Sequence, residues 1–240
     1  MQGSLFSRIK MNMCREIARK TIPILLLAVL LCLSAAATAG ADGGEFKIAR
    51  LKYRGGGDWY SDPTSLPNLL KGVQDMLGIS VAKEEVRLSI MDEALFTCPF
   101  AYMTGHGKVK FSEEEAARLR LYLASGGFLW ADDNYGMDEY FRKEIRKVFP
   151  EQELVEIPFD HEIYHMVYAF PGGLPKIHEH HGGPPHGYGI VHDGRLVVFY
   201  SYNTDIGDGL EDADVHNDPA EKRHAARKMA VNIVAYALTH

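Results

Sequence analysis

Apolar and polar positions change rhythm several times along the chain, and each change predicts an element. Phe46 to Lys52 alternates and reads as a first strand. Leu66, Leu69, Leu70, Val73 and Leu77 fall at helical spacing, closed by Gly78. Val86 to Ile90 and Phe100 to Met103 read as a second and a third strand. Ser112 and Glu115 form a capping box, with Phe111 and Ala116 as its hydrophobic staple, and Gly126-Gly127 stops that helix. Phe128 to Ala131 is a fourth strand. Tyr140, Phe141, Ile145 and Val148 mark a further helix ended by Pro150, and Leu154 to Ile157 another strand. His165 to Phe170 carries a weaker strand pattern. Tyr188 to His192 and Arg195 to Ser201 pair as a hairpin around Asp193-Gly194, a type I′ turn. Asp218-Pro219 opens a last helix with Ala226, Met229, Ile233 and Ala237 on one face.

Strands that alternate with helices imply a mostly parallel sheet covered on both faces. Ligands in such sheets lie beyond the carboxyl ends of the strands. The residues there are the turn from Arg54 to Tyr60, Gly105-His106, Asp132-Asp133-Asn134 and the segment around His161. No linker or repeat interrupts residues 46–240, which predicts a single α/β domain.

The first 39 residues read differently. Arg8, Lys10, Arg15, Arg19 and Lys20 precede an apolar run from Ile22 to Ala37, and Ala37-Thr38-Ala39 is a small-x-small cleavage signal. This is the pattern of a signal peptide, so the chain is expected to be exported to the periplasm or the extracellular space. Cleavage after Ala39 leaves 21 basic and 31 acidic residues, a net charge of −10, and no membrane span. So acidic a domain lacks the general basic face that nucleic acid needs. Cys14 and Cys32 leave with the leader. Cys98 remains alone, so no internal disulfide is expected and the core must hold the fold.

Several constellations carry possible chemistry. Gly55-Gly56-Gly57 lies between strand and helix, where backbone N–H groups can cradle an anion, but it has neither the dinucleotide spacing nor a Walker lysine. Gly56, Gly57, Asp58 and Trp59 can instead line a polar pocket with an aromatic platform, as sugar sites do. His106, Asp132 and Asp133 follow consecutive strands, and a histidine beside carboxylates suits a general base or a metal set. A hydrogen-bond network capping the strand ends would use the same residues. His161 and His165 satisfy the letters H-E-x-x-H, but Pro158 upstream and strand-like flanks argue against a helical zinc pair. His178, His180, His181 and His186 lie in a Gly/Pro-rich loop open to metals or simply solvated. Ser201 and Asp205 follow the hairpin and would need a histidine to complete a triad. Cys98 precedes its strand, whereas an elbow nucleophile follows one.

One ordered set of residues spans nearly all of the mature chain. It comprises Gly-Gly-Asp-Trp-Tyr (56–60), Pro99 through Met103-Thr104-Gly105-His106, Phe111-Ser112, Leu119-Arg120-x-Tyr122-Leu123-x-x-Gly126-Gly127-Phe128-Leu129, Asp132-Asp133, Phe149-Pro150, Asp160-His161-x-Ile163-Tyr164 and Val231-Asn232-Ile233-Val234-x-Tyr236. This set resembles the bacterial domain-of-unknown-function family 4159. The resemblance implies a flavodoxin-like three-layer α/β sandwich similar to class I glutamine amidotransferase-like and trehalose-utilisation-like domains, here with a C-terminal β-hairpin and helix. It also implies a cell-envelope setting. Without an elbow cysteine, glutamine amidotransfer is not expected. The open readings are a polar-ligand site on a possible hydrolase of carbohydrate or another envelope molecule, a non-catalytic module for an envelope protein, and a metal-binding protein. The cofactor, the metal and the substrate are not determined by the sequence.

Overall fold

The computed structural model describes residues 44–178 and 181–240. The expected leader and His180 lie outside the described residues. Glu45–His240 forms one unit built on a seven-stranded sheet. Its elements in chain order are β1 Ile48–Lys52, α1 Ser65–Leu77, β2 Val86–Ser89, a 3₁₀ turn Glu93–Thr97, β3 Phe100–Met103, α2 Glu113–Ala124, β4 Phe128–Asp132, α3 Asp138–Val148, β5 Val155–Glu156, a 3₁₀ turn Glu162–Tyr164, β6 His186–His192, β7 Arg195–Tyr202, α4 Ile206–Leu210 and α5 Ala220–Thr239. The spatial order is β2-β1-β3-β4-β7-β6-β5. β2, β1, β3, β4 and β7 run parallel, while β6 and β5 add an antiparallel edge. This is a flavodoxin-like α/β sandwich with the C-terminal hairpin and helix in place.

The period-two rhythm of the strands divides the core between two faces. Ile48, Phe100, Tyr102, Phe128 and Trp130 point toward α1 and α5, and Ala49, Leu51, Ala101, Met103, Leu129 and Ala131 toward α2 and α3. α5 is buried nearly all round from Met229 to Tyr236, as a helix lying along a sheet and under its neighbours must be. The capping box at α2 is formed: Ser112 Oγ accepts from Glu115 N at 3.1 Å, and Glu115 accepts from Ser112 N at 2.7 Å. Asp193 and Gly194 take the positive φ values, 50° and 81°, that the β6–β7 hairpin requires.

His165 to Phe170 is not a strand. Its backbone is satisfied by one buried side chain instead of a ladder. Asn232 Oδ1 accepts from Val167 N and Tyr168 N, each at 2.9 Å, and Asn232 Nδ2 donates to Tyr168 O at 2.7 Å. Among the described residues no helix is long and apolar enough to cross a membrane.

The chain leaves β1 for β2 on one side and reaches β4 from β3 on the other. The switch point therefore falls between β1 and β3, and the loops following these strands flank the crevice where ligands bind in such sheets.

Candidate functional site

The loop after β1 and the loop after β3 meet at the switch point. Gly57 N donates to Lys108 O at 3.0 Å and Lys110 N to Arg54 O at 2.7 Å, which ties the two together. The glycine turn thus serves close approach of two backbones. A Cβ on Gly57 would stand 2.8 Å from His106 O and 2.9 Å from Lys108 O. Its N–H faces the neighbouring loop and is not free to hold an anion.

The close approach delivers Asp58 to His106. The Asp58 carboxylate accepts the His106 backbone N–H and faces ring Nδ1 at 3.0 Å. About half of the His106 side chain remains exposed, and no hydrogen bond to Nε2 is seen among the described residues. This is the arrangement of an imidazole oriented by a carboxylate, with its second nitrogen offered to a ligand. Trp59, partly buried, and the exposed Tyr60 follow Asp58 in the loop. Trp59 meets Tyr60 edge-on at 5.5 Å. Tyr135 bridges His106 through the backbone and stacks on His181 at 5.1 Å.

Asp132 and Asp133 do not join that pair. Alternation at the end of β4 sends them to opposite faces. Asp132 is fully enclosed, where it accepts from Ser201 Oγ and, at 2.6 Å, from Gly207 N. Burial raises its pKa to about 7, against the pull of those two donors. Asp133 accepts from Met137 N at 3.2 Å at the start of α3, and burial raises its pKa to about 6. Ser201 is equally enclosed, accepting from Trp130 Nε1 at 2.8 Å, which suits packing better than nucleophilic attack. Cys98 is buried ahead of β3, and burial raises its thiol.

His161 and His165 lie elsewhere. His161 caps the 3₁₀ turn Glu162–Tyr164 by accepting from Ile163 N at 3.2 Å, and burial lowers its pKa. Its ring sits 5.4 Å from Tyr236, which packs on Phe128 at the amino end of β4. His165 Nε2 meets Phe159 O at 2.8 Å. The two histidines are thus held separately, at the end of the sheet opposite His106, and they neither form a helical pair nor line the crevice.

Next to the Asp58–His106 pair lies a second polar group, most of it not anticipated as a site from the sequence. Asp62, Asp205 and Asp208 each bring a carboxylate oxygen within 4.8 Å of the others, and His178, Asp208 and His216 do the same. All three aspartates are buried. Burial raises Asp62 and Asp205 well above the ordinary carboxylate range, and neighbouring carboxylates, Asp208 foremost, add to it. Asp62 and Asp205 take left-handed backbone angles, φ 53° and 61°, uncommon outside glycine and asparagine-like residues. Arg50, buried beneath them, fixes the Asp62 loop by donating to Ser61 O at 2.6 Å and Asp62 O at 3.0 Å. Asn134 ties Asp62 to the residue that follows β3, donating to Asp62 Oδ2 at 3.1 Å and accepting from Thr104 Oγ1 at 2.6 Å. His178 belongs to the histidine loop the sequence singles out. His216 and the three aspartates come from segments up to 154 residues apart, Asp208 within α4, and carry no local motif.

Fold and site together define an α/β domain with polar chemistry gathered at the carboxyl edge of a mostly parallel sheet. The chain belongs to the family of the domain of unknown function DUF4159, whose model matches residues 47–238. No curated protein matches the sequence.

Proposed function

We propose that this is an exported envelope domain that binds a polar small molecule of carbohydrate type at the β1/β3 crevice and acts on it as a hydrolase, with His106 as general base. The observation that carries the reading is the Asp58–His106 pair, in which the carboxylate engages Nδ1 and leaves Nε2 facing solvent. A base needs a lone pair within reach of substrate and a group that fixes its tautomer, and this pair supplies both. Tyr60 and Tyr135, 61% and 50% exposed, flank it as apolar surfaces of the kind on which sugar rings stack. Gly56 and Gly57 shape the loop, and Asp58 and Trp59 line the crevice. The basic-then-apolar leader supports export.

The test is a thermal-shift and binding screen of the purified protein against neutral, amino and phosphorylated sugars. A ligand that stabilises the wild type should lose its effect in His106→Ala and Asp58→Asn, whose melting temperatures without ligand stay close to wild type. Stabilisation that survives both substitutions, or no ligand at all together with binding of an envelope protein through Tyr60 and Tyr135, would replace this reading with the interaction module.

A further inference from the structure

We propose that the buried group beyond the crevice is a divalent metal site in which Asp208 is the shared ligand, Asp62 and Asp205 supply the oxygen side, and His178 and His216 the nitrogen side. The inference does not depend on the role of His106.

Charge is the first argument. Asp62, Asp132, Asp205, Asp208 and Glu211 are all at most 7% exposed at this end of the sheet. Arg223 donates to Glu211 O at 3.5 Å, and no described residue accepts from its buried Nε; the other described cations that reach these loops are occupied by other acceptors. Arg50 donates to Ser61 O and Asp62 O, Lys222 to Ile177 O, and Lys176 to the carbonyl and side-chain oxygens of Asn203. Asp62, Asp132 and Asp208, buried without a described lysine or arginine counter-ion, are costly unless a cation or a proton joins them.

Unsatisfied atoms aimed into the group are the second, independent argument. Tyr102 is fully buried, and its hydroxyl has no hydrogen-bond partner. The nearby Thr104 hydroxyl donates instead to Asn134 Oδ1. The Tyr102 hydroxyl, Asp62 Oδ2 and Asp132 Oδ2 converge on one spot, lying 2.9, 2.6 and 3.3 Å from the position a Cβ on Gly207 would take. A side chain at 207 would collide with these oxygens, so glycine lets the backbone approach them closely. On the nitrogen side, Asp218, its side chain 7% exposed, presents Oδ2 without a partner while its other oxygen faces His178 Nε2 at 3.2 Å.

The donor set chooses the ion class. Three carboxylates with two imidazoles match a first-row ion such as Mn²⁺ or Zn²⁺ better than Ca²⁺, which takes oxygen alone. His178 Nδ1 lies 2.6 Å from Asp208 Oδ2 and His216 Nε2 3.3 Å from Asp208 Oδ1, so Asp208 already gathers the other ligands around it.

The test uses untagged protein stripped with EDTA and titrated with Mn²⁺ and with Zn²⁺ by calorimetry, with Mn²⁺ also read by electron paramagnetic resonance. Saturable binding of one or two ions per chain is expected. Asp208→Asn should weaken it about 100-fold and His216→Ala about 10-fold, in line with losses at metal shells. His216 sits on an exposed loop, so that variant decides the matter if Asp208→Asn fails to fold. Asp62→Asn, relieved of one buried charge, should melt no lower than wild type without metal yet gain no stability from it. No stoichiometric binding, or unchanged binding in both Asp208→Asn and His216→Ala, overturns the proposal.

Discussion

Asp132→Asn isolates the proton held at the end of β4. Asp132 is fully buried, and burial raises its pKa from 3.8 to about 7. Between those values the native state keeps a proton that the unfolded chain has released. Stability attributable to this group is complete below about pH 4 and declines as pH rises to about 7, by about 1.4 kcal/mol per pH unit, or about 4 kcal/mol in all. Asp133, with a pKa of about 6, acts in the same direction, and His161, whose pKa is lowered, acts in the opposite one. Asparagine cannot titrate, so the variant's curve should lack the Asp132 contribution. It can accept only at its carbonyl oxygen, so the bond from Ser201 or that from Gly207 is lost, an offset of about 1–3 kcal/mol. The offset is not the test; the slope is. Urea denaturation of both proteins in EDTA, from pH 4.5 to 8, measures it. Wild type should lose stability across that window more steeply than the variant. Parallel curves would mean that Asp132 is ionised in the native protein throughout, and the argument from burial would fail.

Asn232→Ala leaves Val167 N, Tyr168 N and Tyr168 O without their partner. It should cost about 3 kcal/mol or more in a denaturation experiment and open residues 165–170 to proteolysis. Wild-type stability would show that water replaces the amide without loss. Gly57→Ala brings a methyl against His106 O and Lys108 O, costing about 1–3 kcal/mol. It should also displace Asp58, so ligand-induced stabilisation should fall more than stability itself; an equal response to ligand would show that the loop tolerates the methyl.

Local signals made much of the fold legible. The capping box, Gly78 and Asp193-Gly194 act within a few residues, and the elements they bound appear where the sequence puts them. The weak strand pattern of His165 to Phe170 misled because its partner, Asn232, is more than sixty residues away. The pairing of His106 with Asp58 was only half visible: both residues stood out, but not that Gly57 lets their loops touch. Asp132 and Asp133 could have been separated in advance, since Asp132 continues the face of Phe128 and Trp130 while Asp133 falls on the other. Asp62, Asp205, Asp208 and His216 were not legible as a group. The crossovers that gather them leave no spacing to read, and their left-handed backbone at Asp62 and Asp205 has no signature beyond the aspartate itself.

The central claim is that Asp58 holds His106 as an outward-facing base. Long-range ¹H–¹⁵N NMR of the histidine rings, assigned by comparison with His106→Gln, reads this directly at a pH where the ring is neutral. The account predicts the tautomer protonated at Nδ1, with Nε2 bare, and its loss in Asp58→Asn. A His106 ring protonated at Nε2, or one indifferent to Asp58→Asn, would contradict it.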